Sequence, residues 1–390
     1  MKKVLLRAPL LSQSGYGTHA RQIFQFCETQ KDWQLTTQVL GWGITPWCVN
    51  PDLENGIYGR IMSRSAPVAE KFDITIQLQL PNEWDPSLGK FNIGMTAGVE
   101  TDRCSVEWAT THREKMDLII VPSLHTKMGL QASATGREKT PIVVVPESFF
   151  PEILEEPTSD PLERLPTSNN FLIIGTMVSD DPRADRKNLV ASIRWFLESF
   201  KESDDIGLVV KTTKGRDTSI DRELVRKTLH QIVKSTKTKN LPKIYMLHGS
   251  MTRQEMTNLY KSPKLTALIS ATRGEGFGLP MVEAAAAGLP IVATDWSAHT
   301  EFLEGDSFLR VRYDLGQIPD SRVDNNIFTK RTKWAEAREG NFKKKMRQAL
   351  RGKDELRLAA KILADKIKTT HNIQTVCEMY EGVVRKALED

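Results

Sequence analysis

Several things are scarce or missing in this sequence of 390 residues, and each absence narrows what the chain can be. No apolar run reaches the roughly 18 residues that a membrane-spanning helix requires. The opening stretch MKKVLLRAPLL has a basic start followed by an apolar run, but Arg7 interrupts it and no small-residue cleavage site follows, so it reads as a buried first strand and not as a signal peptide. Only four cysteines are present, Cys27, Cys48, Cys104 and Cys377, with no C-x-x-C pair and no zinc-like spacing. They read as reduced packing residues of a cytoplasmic protein. No D-x-D, H-E-x-x-H or EF-hand pattern occurs, so no metal site is assigned. Low-complexity tracts and short internal repeats are also missing, which excludes a solenoid.

What is present is ordinary globular material: 39% apolar and 26% charged residues, enough for full cores in two or three domains. The net charge of +5 is unevenly placed. Residues 1–150 hold 15 basic and 15 acidic side chains, so the whole excess lies beyond them. Lys330 to Lys353 alone carries ten basic residues against Glu336 and Glu339. That run reads either as a solvated helix surface or as a footprint for nucleic acid or anionic lipid.

Short β-branched apolar segments alternate with helical patterns along the whole chain. Strands are expected at 3–6, 36–40, 74–78, 91–95, 118–121 and 142–145, then at 170–174, 207–211, 243–247, 267–270, 291–293 and 308–311. Continuous apolar strands separated by helices indicate parallel sheets buried on both faces. The expected fold is therefore α/β, with two Rossmann-like doubly wound domains facing across a cleft. Residues 1–155 form the first domain and 156–169, within a polar stretch holding three prolines, the linker. The second domain spans 170–369, and a helix over 370–390, with Ile373, Val376, Cys377 and Tyr380 on one face, returns toward the first. Ligands of such sheets bind beyond the carboxyl ends of the strands, so the loops there carry the chemistry.

The most informative loop is ATRGEGFGLPMVEAAAAGLPIVATDWSAHTEF, residues 271–302. A strand ends near Ser270, Gly274, Gly276 and Gly278 make a flexible turn, and Pro280 opens a helix that Gly288 closes. The amides of Gly276, Phe277, Gly278 and Leu279 would face an anion such as a diphosphate. Glu275 and Glu283, on either side of that turn, suit hydroxyls flanking the anion better than the anion itself. This stretch resembles the Glu-x7-Glu signature of retaining glycosyltransferases of the two-Rossmann-domain (GT-B) type, family 4 in particular. The resemblance implies that Glu275 contacts donor-sugar hydroxyls, that Glu283 binds the nucleotide ribose, and that the intervening amides hold the distal phosphate.

Other segments carry the same resemblance less strongly. In FLIIGTMVSDDPRADRKNLVASIRWF, residues 171–196, Lys187 fits the family's lysine that neutralises the leaving group. The family often places an arginine where this chain has Thr176, so Arg186 or Arg183 takes that part. HGSMTRQEMTNLY, residues 248–260, resembles the base-reading segment, with contacts through the backbone near Ser250 and Met251; Thr252 and Glu255 also form a capping box. After the first strand, Ser14, Gly15, Tyr16 and Gly17 make a turn that the family sets beside the donor phosphate and the acceptor. Glu100 and Asp102, after the fourth strand, are candidates to orient an acceptor hydroxyl or are surface carboxylates. The nearest histidine, His112, is given no role.

The resemblance spans essentially the whole chain and is most specific over 170–305. It implies a retaining hexosyl- or pentosyltransferase that is metal-independent and needs no cofactor, using a UDP- or GDP-linked nucleotide sugar as co-substrate. The acceptor is open: a glycan or polysaccharide by default, with bacteriophage-type transfer to hydroxymethylated DNA bases as the alternative, favoured by the basic run and a pI near 8.9. A lipid-linked acceptor is third. Five of the eight tryptophans, Trp33, Trp42, Trp47, Trp84 and Trp108, fall in the first domain, where they either fill the core or stack on a sugar or flipped base. A non-catalytic sugar-nucleotide-binding protein is the alternative of another class; it would need lesions in the donor site, and Glu275, Glu283 and Lys187 are all present.

Overall fold

The computed structural model describes residues 1–68, 70–177 and 181–389. The chain forms two compact units, one of residues Met1–Ser148, Asp324–Thr332 and His371–Asp390, the other of Phe149–Val323 and Lys333–Thr370.

The first unit runs β1 (Lys2–Ala8), α1 (Gly15–Thr29), β2 (Trp33–Val39), α2 (Leu53–Ser63), β3 (Phe72–Leu78), β4 (Gly89–Met95), α3 (Val106–Ala109), β5 (Leu118–Val121), α4 (Leu124–Ser133) and β6 (Ile142–Val144). The second runs β7 (Asn169–Thr176), α5 (Leu189–Ser199), β8 (Ile206–Thr213), α6 (Ser219–Ser235), β9 (Lys243–His248), α7 (Arg253–Tyr260), β10 (Leu265–Ser270), α8 (Leu279–Ala286), β11 (Ile291–Thr294), β12 (Phe308–Val311), β13 (Tyr313–Gln317), β14 (Lys333–Ala337), α9 (Glu339–Arg351) and α10 (Lys353–Thr370). The last helix, α11 (Ile373–Glu389), belongs to the first unit.

Each unit holds a six-stranded parallel sheet, ordered β2-β1-β3-β4-β5-β6 and β12-β11-β10-β7-β8-β9. All twelve strands expected from the apolar runs are present, and the two-sheet Rossmann-like reading holds. In the second sheet, strand order reverses between β7 and β10, which are paired at the centre. Helices that leave neighbouring strands in opposite directions open a crevice at such a reversal, beyond the strands' carboxyl ends.

Alternation of side chains along each strand divides the second core into two layers. Phe171, Ile173, Leu208, Val210 and Ile269 point to the face covered by α5, α6 and α9. Leu172, Val209, Leu268 and Ala293 point to the face covered by α8 and α10. Phe171, Phe196 and Phe342 are fully buried, each contributing about 1.5–3 kcal/mol by leaving water.

The first sheet is less uniformly apolar. Val4, Leu6, Ile74, Ile76 and Ile93 pack beneath α1 and α11. On β3 and β4, however, Thr75, Gln77 and Asn92 are buried polar residues. They satisfy one another and the chain nearby: Thr75 donates to Asn92 Oδ1 at 2.7 Å and Gln77 donates to the Asp85 carbonyl at 2.7 Å. α11 docks on α1 through Val376, Tyr380 and Val384, and the Tyr380 hydroxyl shares a 3.0 Å hydrogen bond with the buried His19 ring.

The basic run from Lys330 to Lys353 is not one helical surface. Residues 333–337 form strand β14, antiparallel to β13, and the helix starts only at Glu339. Lys343 is pinned between Glu198 and Glu339, both at 2.5 Å. Among the described residues no helix is long and apolar enough to cross a membrane, and the four cysteines are unpaired.

Candidate active site

The reversal between β7 and β10 is where the charged candidates meet. β10 ends at Ser270, and the turn that follows brings Glu275 inward, where it is only 5% exposed. The loop after β7 brings Arg186 and Lys187 to the same place. Lys187 Nζ donates to both Glu275 oxygens, at 2.8 and 2.7 Å, and Arg186 donates to Oε2 at 3.1 Å and to the Gly274 carbonyl at 2.5 Å. Thr272 Oγ1 donates to Glu275 Oε1 at 2.8 Å. Burial alone would push this carboxyl up, but Lys187 and Arg186 outweigh it and hold the group at about 2. Glu275 is therefore ionised throughout the physiological range and can only accept hydrogen bonds. Arg183 lies apart from this cluster, largely exposed and paired with Asp181.

The turn itself is held from behind. The Glu275 amide donates to Ser297 Oγ at 2.9 Å. Gly278 has φ 109°, and a Cβ there would come within 3.0 Å of His299 Cβ, so glycine is required both by conformation and by space. His299 is fully buried, bonded to the Thr294 carbonyl at 2.7 Å, and burial lowers its pKa, which keeps it neutral. Gly276, Phe277, Gly278 and Leu279 thus lie at the amino end of α8, with the Phe277 ring turned into the core against Phe302.

A second layer, which nothing in the sequence signalled, fixes the Arg186–Lys187 loop. Arg273 is 6% exposed and donates to the carbonyls of Pro182 and Asp185, at 3.0 and 2.6 Å. Its own amide donates to the Arg186 carbonyl at 2.8 Å. The guanidinium is clamped in turn by β14: Glu336 accepts from Nε at 2.8 Å, and the Trp334 ring lies under it at 5.2 Å. Asp185 completes the loop by accepting from the Lys187 and Leu189 amides, at 3.1 and 2.7 Å.

The remaining candidates of the second unit are more scattered. Glu283, on α8, accepts from the Tyr260 hydroxyl at 2.8 Å. Burial pushes its carboxyl up, and the Tyr260 bond and Arg253 offset only part of this, leaving it at about 7. Thr176 is exposed, its hydroxyl 3.0 Å from that of Thr213 on β8. Ser250 donates to Asp217 at 2.7 Å, and Met251 packs partly into the core.

In the first unit, Ser14 caps α1 by accepting from the Gly17 amide at 3.1 Å. A Cβ on Gly17 would overlap the Ser12 carbonyl, so no other residue fits there. Gly15 is exposed at the start of the helix. Tyr16 reaches the loop after β4: its hydroxyl is 3.0 Å from Thr96 Oγ1 and accepts from the Ala97 amide at 3.0 Å, while its ring stacks on Trp42 with centroids 3.9 Å apart. Glu100 and Asp102 are half-buried on that same loop.

Two parallel Rossmann-like sheets, the second ordered about a central reversal, define the GT-B fold. Solved structures share it. Sucrose-phosphate synthase from Thermosynechococcus elongatus matches with a TM-score of 0.65 at 11% identity over 100% of both chains. HepE from Anabaena, in complex with UDP and glucose, matches with 0.64 at 11% identity over 99% of this chain and 100% of that one. The pneumococcal O-GlcNAc transferase GtfA, in complex with UDP and GlcNAc, matches with 0.52 at 15% identity over 81% of this chain, which spans only 57% of its length. No curated protein matches the sequence. Residues 225–307, which include Glu275, Glu283 and all of α8, match the family of glycosyl transferases, group 1. The chain therefore has the GT-B fold, and its segment 225–307 is similar to the group 1 glycosyl transferases.

Proposed function

We propose that this protein is a retaining glycosyltransferase that takes its sugar from a nucleoside diphosphate, UDP- or GDP-linked, and passes it to an acceptor hydroxyl without a metal ion. The observation that carries the reading is the cluster of Lys187, Arg186 and Glu275 at the strand reversal of the second sheet. In the free protein the two cations share one carboxylate, yet Lys187 has three donors and Arg186 five, so both can also take phosphate oxygens. As the sugar–phosphate bond breaks, negative charge grows on the leaving diphosphate. Lys187, Arg186 and the amino end of α8 meet that charge with fixed positive charge and dipole. Glu275, kept ionised, accepts from donor-sugar hydroxyls, and Glu283 does the same for the ribose. The leaving phosphate oxygen takes the acceptor's proton on the same face as the departing group, which gives retention without a protein nucleophile. Thr176, Ser250 and Met251 lie along the nucleotide in this reading, and Gly15, Tyr16, Gly17, Glu100 and Asp102 on the acceptor side. The chain then acts as two domains, 1–155 and 170–369, joined by 156–169 and completed by the helix at 370–390.

The test is slow hydrolysis of a panel of UDP- and GDP-sugars, followed by proton NMR of the released sugar in the presence of a chelator. The expected result is turnover of one donor with the anomeric configuration kept. Release of the opposite anomer first would overturn retention, and activity that a chelator abolishes and magnesium or manganese restores would overturn the metal-free reading.

A further inference from the structure

The carboxyl end of the first sheet carries an apolar outcrop that none of the roles above uses. The chain leaves β2 and reaches α2 through residues 40–52, a segment with no regular structure except one bridge between Ser12 and Trp47. It is nonetheless tied down. The Gln13 amide donates to the Pro46 carbonyl at 2.8 Å and the Cys48 amide to the Leu11 carbonyl at 2.9 Å. Thr45 Oγ1 donates to the Trp42 carbonyl at 2.8 Å and lies 2.8 Å from Ser12 Oγ. Held in this way, the loop leaves Ile44 74%, Trp47 47% and Val49 62% exposed. Three large apolar side chains exposed close in sequence on one anchored loop make it a candidate recognition surface.

This surface is continuous with the acceptor-side residues. Trp42 belongs to the same loop and stacks on Tyr16, and Tyr16 bonds to Thr96 and Ala97, at the start of the loop that bears Glu100 and Asp102. Its charge is equally informative. No lysine or arginine occurs from residue 32 to residue 59, whereas Asp52 and Glu54 do. Arg21, beneath the anchor at Ser12, is buried and donates to the carbonyls of Leu10 and Ser12. An acceptor rich in phosphate requires surface cations at its seat; residues 32–59 offer none, and on the neighbouring loop the exposed Arg103 follows directly on Asp102.

We propose that Trp47, with Ile44 and Val49 beside it, is the platform for the acceptor, and that the acceptor is an uncharged carbohydrate chain. The apolar C–H face of a sugar ring packs on an indole, while its hydroxyls stay in water or reach neighbouring polar groups. The proposal rests on the acceptor-side reading of Tyr16, Glu100 and Asp102. It selects a neutral glycan over hydroxymethylated DNA and over an anionic lipid carrier.

The experiment uses the full chain and its Trp47→Ala, Trp47→Phe and Ile44→Ser variants. Binding is read on a microarray of neutral glycans and then by calorimetry on the best oligosaccharide found; a short DNA duplex and phosphatidylglycerol vesicles serve as the other probes, and UDP and GDP as the donor-side control. The expected result is a neutral glycan whose affinity falls about tenfold in Trp47→Ala and less in Trp47→Phe, with nucleotide affinity unchanged. Because Trp47 is anchored through its backbone and half exposed, the substitution leaves the fold in place, which thermal unfolding checks. The proposal is overturned if no neutral glycan binds, if glycan binding is the same in Trp47→Ala, or if the duplex or the vesicles are what the variant loses. Glycan binding that persists while neither UDP nor GDP binds would instead break the donor-site reading and leave the platform standing.

Discussion

At the carboxyl end of the second sheet, a buried carboxylate, an ammonium and a guanidinium are locked together, with a second guanidinium, a tryptophan and a neutral histidine packed behind them. In the first unit two largely buried acid–base pairs are longer, Arg21 lying 3.8 Å from Glu54 and the His19 ring 3.8 Å from Glu147, and a tyrosine stacks on a tryptophan, with apolar side chains exposed on an anchored loop. The two sheets share strand direction and number, so the difference lies in their loops, which under the function proposed above meet different ligands. Developing charge needs preorganised charge, which is costly to bury unless every member of the cluster is paired. A neutral, hydrated ligand needs area and shape, which aromatic and aliphatic side chains supply without an electrostatic frame.

The sharpest way to break this contrast is at Lys187. Lys187→Ala should lower donor turnover by about 10²–10³-fold, read as single-turnover sugar release, with only a small change in thermal midpoint because Arg186 still partners Glu275. Glu275→Gln should cost turnover and stability together, by about 2–3 kcal/mol in urea unfolding at neutral pH, since it leaves two cations with a neutral partner. Its sign is checkable. The folded carboxyl sits at about 2, below its ordinary 4.5, so its contribution is present above pH 4.5 and disappears as pH falls through 2.

Arg273 sharpens the comparison differently, because it touches only the backbone of the Arg186–Lys187 loop and its own clamp. Arg273→Ala should reduce turnover by about 10–100-fold through a looser loop, and weaken nucleotide binding less. Arg273→Lys should recover part of the rate, and the Tyr16–Trp42 end of the first unit should be indifferent to both, as glycan affinity would report. Equal losses of glycan and nucleotide affinity would show that the two ends are not separate.

A smaller effect is expected at Glu283, whose folded carboxyl lies at about 7 against an ordinary 4.5. A raised value means that its contribution to stability is complete below pH 4.5 and is lost as pH rises through 7. Glu283→Gln should therefore gain about 1–3 kcal/mol relative to the parent at pH 8 and nothing at pH 4. Nucleotide affinity in the parent should rise through pH 7, as the ionised carboxylate becomes available to ribose hydroxyls, and should be flat and weaker in the variant. Smallest of all, Lys344→Glu with Lys345→Glu should change transfer to a neutral glycan negligibly and stability by no more than about 0.5 kcal/mol, because solvated charges on α9 are screened. A large loss would return the basic run to the acceptor site.

Much of this architecture was legible from local pattern. All twelve sheet strands were expected from short apolar runs, and the pattern is clearest in β7, β8 and β10, since a central strand buried on both faces admits little else. The β13–β14 hairpin was not. Lys333–Ala337 reads KWAEA, poor in β-branched residues and embedded in cations, and it pairs because Trp334 and Ala335 bury under and beside Arg273, a contact no window of sequence contains. In the same way Thr176 and Ser250 sat in promising loops, yet in the free protein their hydroxyls are engaged with Thr213 and Asp217.

By itself, then, the sequence determined the two parallel sheets, the glycine turn before α8 and the residue types that could meet a diphosphate and its flanking hydroxyls. Those follow from short-range rules: periodicity, backbone freedom at glycine, and the chemistry of side chains close along the chain. Only the tertiary structure decided which cation joins Lys187, and it chose Arg186 over Arg183; that Glu275 stays ionised while Glu283 titrates near neutrality; and that Arg273 braces the Arg186–Lys187 loop. Each of these depends on burial and on partners distant in sequence, because the energy of a charge in a protein is set by what surrounds it in space.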